Sequence, residues 1–327
     1  MSNRLVLAVG AVVLVASACA TTGDTTTTAA AATSTTATTA TTTSTVAPST
    51  STTVPVTEDV VTASGPLSLP GYLAASYRLD GWFTESVTEA TLNSPPDEVL
   101  GMQAAIYEEY VGVLRSLEPP PEAVEYHQLL LELMERALET TRRAAEAVDS
   151  GDPDAALEAS EELIALGQEM VAESFTIAVA QSGLVNEVLA DEDDPESRYI
   201  LELLALQNSE STTTAGALLA EATSPDLDLD ELGALYRDLV GLFESTLADY
   251  EGIAPPASWQ SVYDGQIDLL VDGIALYSAI ADAIETRTEP ELPVLLALID
   301  FAQRGPAQTA AVSEQMASHF ERIDGSG

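Results

Sequence analysis

The chain of 327 residues carries 53 acidic and 11 basic side chains, a formal net charge of −42, and its basic residues are all arginines. A surface of that sign repels nucleic acid, whose binding rests on Lys and Arg neutralising phosphates, and it gains nothing from anionic lipid headgroups. One cysteine, Cys19, excludes any intrachain disulfide, so the fold must be held by packing.

The first 18 residues read as a signal peptide. Arg4 supplies the positive start, Leu5 to Val15 an apolar run, and Ala16-Ser17-Ala18 the small residues before a cut, with Cys19 directly after. The apolar run is about half of the ~20 residues a spanning helix needs. This arrangement resembles the signals of bacterial lipoproteins. The resemblance implies cleavage after Ala18, a thioether-linked diacylglycerol on Cys19, and an extracytoplasmic protein held on the cell membrane by lipid.

Residues 19–63 then form the lipidated N-terminus and a tether. From Ala20 to Thr57, 19 of 38 residues are Thr and 4 are Ser, with few charges and almost no large apolar groups. Such a stretch cannot bury enough apolar surface to offset its ordering entropy. As a flexible coil it holds the following domain on the order of 35 Å from the membrane. Thr-rich tracts with Pro48 and Pro55 also resemble O-glycosylated stalks.

Beyond the tether, alanine, leucine and glutamate dominate, glycine and proline collect at boundaries, and no β-branched alternation is long enough for a sheet. The expectation is all-α. Tyr126, Leu130, Leu133, Ala137, Thr141, Ala144 and Val148 recur at steps of three and four and mark one buried helical face. Asp152-Pro153 and Asp194-Pro195 read as helix starts, an N-cap acceptor followed by the residue suited to the first turn. Eight helices are predicted, near 70–93, 97–117, 121–149, 153–189, 196–223, 228–253, 257–286 and 290–323.

These marks contain a repeat. Pro119 and Pro256, Tyr126 and Tyr263, Leu130 and Ile267, Met134 and Val271, and Pro153 and Pro290 lie 137 positions apart. Upstream echoes fall at 132 and 133, and Gly167 interrupts the fourth predicted helix near where Gly305-Pro306 interrupts the eighth. The reading is two tandem antiparallel four-helix bundles made by internal duplication, 64–190 and 191–327, each large enough to bury a core. The Pro-Pro break before an aromatic or His and a Leu-rich helix is similar to a pattern in helical-bundle lipoproteins of high-GC Gram-positive bacteria, over about 105–150 and more faintly 240–286. That likeness implies a cell-envelope setting and no catalytic residues.

The sequence carries little recognisable chemistry. Neither His127 nor His319 stands in the Glu-x-x-His or His-x-x-x-His spacing that brings ligands together on one helix. No Gly-x-Ser-x-Gly elbow, phosphate-binding glycine loop or cysteine nucleophile is present. The acidic run Asp191 to Asp194 lacks the EF-hand pattern and reads as a solvated loop ending in an N-cap. No catalytic residue, metal ligand or cofactor is therefore expected. Aromatic clustering gives the candidate ligand contacts: Trp82, Tyr126, His127, Trp259, Tyr263 and Asp264, the last standing opposite His127 in the repeat. The favoured function is a non-enzymatic, lipid-anchored envelope protein whose bundles bind a protein, peptide or cationic small molecule. The alternative is an extracytoplasmic sensor or metal-handling domain.

Overall fold

The computed structural model describes residues 66–95, 98–207, 214, 218, 227–288 and 292–326. The leader and tether, Cys19 included, lie outside them. The described residues contain no strand, and their α-helices include α1 Leu69–Asn93, α2 Val99–Ser116, α3 Val124–Ser150, α4 Pro153–Leu189, α5 Pro195–Gln207, α6 Leu229–Glu251, α7 Gln260–Glu285 and α8 Leu292–Ser326. A 3-10 turn precedes each of α3 and α7, at Pro121–Ala123 and Ala257–Trp259.

Local chemistry sets the boundaries. Asp152 caps α4 by accepting from the backbone N–H groups of Asp154 and Ala155, and Asp194 caps α5 by accepting from those of Glu196 and Ser197. Asp228 and Glu231 form a reciprocal capping box at α6. Gly151 closes α3 in the left-handed conformation at φ 68, where a Cβ would be strained. One expectation fails: α4 and α8 run unbroken through Gly167 and Gly305-Pro306. Pro306 is buried within α8, which packs on two helices. That packing outweighs the roughly 3 kcal/mol an interior proline costs.

Successive helices pack as antiparallel hairpins, marked on their outer faces by ion pairs such as Arg115–Glu135 and Arg142–Glu108 between α2 and α3, or Arg143–Glu162 between α3 and α4. The most extensive contact, however, joins the two ends of the chain: α1 lies antiparallel against α8. Tyr77 stacks on Phe320 at 5.9 Å, and Arg78 pairs with Glu321. Gly81 permits this approach, since a Cβ there would stand 3.3 Å from that of Ser313 and 3.6 Å from the Ala310 backbone.

The cores follow from that closure. The largest cluster is built from α1 to α5 but also takes in Tyr250, Trp259, Val262, Val312, Met316, Ala317 and Phe320. It does not stop at residue 190. A second cluster is centred on Tyr277, with Tyr236 and Phe243 stacked on it and Phe301 at its edge.

The two 3-10 turns have matching backbone conformations, at an offset one short of the 137 that the sequence suggests. The residues before the two 3-10 turns, Pro120 and Pro256, share φ −66, with ψ 160 and 158. The residues that end them, Ala123 and Trp259, also match, at φ −97 and −101. At this offset of 136, Tyr126 and Val262, Leu133 and Leu269, Ala137 and Gly273, Thr141 and Tyr277, and Ala144 and Ile280 are buried together. An offset of 137 would instead set Met134, 1% exposed, opposite Val271, 46% exposed. Between α2 and α6, pairs 133 apart are buried on both helices: Leu100 and Gly233, Ile106 and Leu239, and Tyr110 and Phe243. At an offset of 136, Tyr263 rather than Asp264 stands opposite His127.

Candidate functional site

The sequence-selected residues do not gather in one place. Tyr126 and His127, both buried at the start of α3, meet Tyr72 of α1: Tyr126 lies edge-on to its ring, and His127 Nδ1 is 3.1 Å from its hydroxyl. Trp259 is fully buried against Tyr199 of α5, with ring centroids 5.3 Å apart. Tyr263 is half-buried and donates its hydroxyl to the Tyr250 carbonyl at 3.1 Å. Asp264 is exposed and accepts from Gln260. Trp82 packs at the rim of the larger core, its indole nitrogen buried without a hydrogen-bond partner. Cys19 lies outside the described residues.

The fold also assembles two polar centres from residues far apart in the sequence. The first lies inside α1, α2 and α4. Asp80 is 5% exposed and accepts from the Tyr110 hydroxyl at 2.6 Å. Burial pushes its carboxyl up to about 7, although the Tyr110 and Gln181 side chains favour the ionised form. The Gln181 amide nitrogen nonetheless stops short of hydrogen-bond geometry, and the Tyr77 hydroxyl is also buried without a partner. Burial and the Asp80 charge raise Tyr72, Tyr77, Tyr110 and Tyr126, so all four remain protonated donors. Burial lowers His127, which keeps it neutral at pH 7.

The second centre sits where the start of α5 meets the end of α8. Asp194, Glu196 and His319 each offer one ligand atom, and these atoms lie within 4.8 Å of one another. His319 is buried, with Nε2 2.9 Å from Ser197 Oγ and Nδ1 3.1 Å from Glu196 Oε2. Arg322 donates to Glu196 Oε2 and reaches His319 Nδ1 at 2.9 Å. A guanidinium only donates, so Nδ1 carries the lone pair and Nε2 the proton. That proton goes to Ser197, whose own proton goes to Asp194 Oδ2. The sequence Glu196–His319–Ser197 has the connectivity of a hydrolytic triad, but Ser197 is fully buried and its hydroxyl is committed to Asp194. It presents no nucleophile to solvent.

A groove of about 580 Å³ opens over this second centre, lined by Pro195, Glu196, Pro256, Ser258, Arg322 and Ile323 among others. Another, of about 560 Å³, runs between α3 and α4 over Leu129 and Ile177, and is rimmed by Glu132, Glu135, Glu139 and Glu173. Arg136 crosses it to Glu169 and Glu173. All ten arginines downstream of the tether pair with a carboxylate in this way.

No family model, curated protein or solved structure matches the chain. No helix among the described residues is long and apolar enough to cross a membrane.

Proposed function

We propose that the protein is a lipid-anchored, extracytoplasmic, non-enzymatic binding protein. Its helical units descend from an internal duplication, and they present an acidic surface to a cationic protein, peptide or small molecule. The observation that carries the binding assignment is the complete pairing of the arginines. With 50 acidic and 10 basic residues beyond the tether, pairing leaves a large surplus of carboxylates and no unpaired arginine among the described residues for an anionic ligand. The α3–α4 groove, apolar at its floor and glutamate-rimmed, suits a ligand with a cationic head on an apolar body.

Duplication is supported by the matched 3-10 turns and by the burial correspondence of α2–α3 with α6–α7. In this reading the two units are not independent bundles, since α1 completes its burial against α8. Anchoring rests on the leader and on Cys19. A mature lipoprotein of the resembled class carries more than one acyl chain, which stable membrane attachment requires.

Capture of a polybasic peptide by the protein across a salt series tests the binding assignment. The expected result is binding that weakens steeply between low and physiological ionic strength, as the screening length falls to about 8 Å. Capture indifferent to salt would contradict an electrostatic partner. Glu132→Gln combined with Glu139→Gln should weaken capture at low salt if the α3–α4 groove is the contact.

A further inference from the structure

We propose that His319 and Glu196 bind a divalent transition-metal ion of the Zn²⁺ class at the α5–α8 groove, where Arg322 occupies the cation's place until the metal displaces it. Four observations converge on this position.

The first is the direction of the lone pairs. His319 Nδ1 and Glu196 Oε2 stand 3.1 Å apart, two acceptors that would repel without a positive group between them. Arg322 supplies that group, bonding both. An ion about 2.1 Å from each atom would subtend an angle near 95°, within the range of metal coordination.

The second is the support behind the imidazole. A metal-bound histidine almost always donates its other ring N–H to an oxygen acceptor, which fixes tautomer and orientation. His319 does this through Ser197 to Asp194. Asp194 serves here as the orienting carboxylate, because Oδ1 is taken by two backbone N–H groups and Oδ2 by the Ser197 hydroxyl.

The third is access. His319 is buried, but the side chain of Arg322 is 56% exposed and the groove opens beside it. The guanidinium can swing into solvent as an intact cation. Nδ1 already lacks a proton, so the imidazole loses none when the metal enters, and water completes the coordination shell.

The fourth is charge. The positive pole of α5 opposes a cation, but it amounts to about half an elementary charge, against two full negative charges on Asp194 and Glu196. The neighbouring Asp191, Glu192 and Asp193 add to that field. An imidazole nitrogen beside a carboxylate selects a borderline ion over Ca²⁺ or Mg²⁺, which take oxygen ligands.

The test is calorimetric titration of Zn²⁺ into the full-length Cys19→Ala chain, in which no thiol competes, with Mg²⁺ in large excess to occupy surface carboxylates. One Zn²⁺ should bind per chain despite the Mg²⁺. His319→Gln and Glu196→Gln should each weaken it at least tenfold, and Arg322→Ala should tighten it by removing the competing cation. In parallel, ¹⁵N-imidazole NMR of the chain with both histidines intact should show Zn²⁺ shifting His319 Nδ1 and leaving His127 unmoved. The proposal is overturned if no Mg²⁺-resistant binding is seen, if it survives His319→Gln, if Arg322→Ala leaves the affinity unchanged or weaker, or if His319 Nδ1 does not respond.

Discussion

Asp80→Asn should raise the stability of the protein at pH 8 and leave it nearly unchanged at pH 4. The side chain is 5% exposed, in a site built from α1, α2 and α4, and its carboxyl is pushed from 3.8 up to about 7 by burial. Below pH 3.8 both folded and unfolded chains hold the proton, and the group contributes no pH dependence. Between 3.8 and 7 the unfolded chain ionises while the native state keeps its proton, so stability falls as pH rises. Above 7 both are ionised and the full cost is present: at about 1.4 kcal/mol per pKa unit, a rise from 3.8 to about 7 amounts to about 4 kcal/mol. Asn keeps the shape and an oxygen to accept from Tyr110, while the Gln181 amide can turn to present its oxygen to the new NH₂ group. Urea denaturation followed by far-ultraviolet circular dichroism, on both proteins from pH 4 to pH 8, isolates this group from the general repulsion that the −42 charge imposes on each. A stability gap opening with pH to about 4 kcal/mol is expected. A gap that is the same at every pH would refute the assignment of a native, protonated Asp80.

Four further outcomes follow from the closure of α1 on α8 and from the charge. Phe320→Ala removes a ring buried against Tyr77 and should cost about 3–5 kcal/mol, with amides of α1, some 240 residues away in sequence, losing hydrogen-exchange protection along with those of α8; loss confined to α8 would contradict the shared core. Gly81→Leu should destabilise by about 3 kcal/mol or more through overpacking against Ser313 and Ala310, whereas Gly112→Leu, in open space on α2, should cost far less. Cutting the chain between Leu189 and Pro195 should give two helical halves that unfold cooperatively only when recombined, and raising salt should lift the thermal midpoint of the intact protein by screening its self-repulsion; a midpoint that falls with salt would show that paired charges dominate instead.

Helix identity was legible because burial and period agree locally. The stripe from Tyr126 to Ala144 and the caps at Asp152 and Asp194 each depend on neighbours within a few residues, whereas Val148, expected to end that stripe, is exposed near the helix C-terminus. The register of the proposed repeat is ambiguous in the sequence, because three consecutive prolines, Pro119 to Pro121, meet only two, Pro255 and Pro256. Matching Pro119 to Pro256 gives 137, whereas the backbone of the two 3-10 turns matches at 136. The His319 centre was not legible at all. His319 and Glu196 are 123 residues apart, so no spacing rule on a single helix could join them. Asp80 left a trace: it falls on the same face of α1 as Tyr77, Thr84 and Val87, an acid within an apolar stripe. Among 53 acidic residues that signal carried little weight. Gly305-Pro306 misled in the opposite sense, since a local breaker was overridden by packing from α1 and α7.

The claim on which the functional account depends most is that Cys19 becomes the acylated first residue of a membrane-attached protein. Mass spectrometry of the N-terminal peptide, taken from the protein extracted from membranes, measures it directly. The expected species begins at Cys19 and carries diacylglycerol through the sulfur, and Cys19→Ala should abolish both the lipid mass and membrane retention. An N-terminus elsewhere with an unmodified Cys19 thiol, or membrane retention that persists in the Cys19→Ala protein, would contradict it.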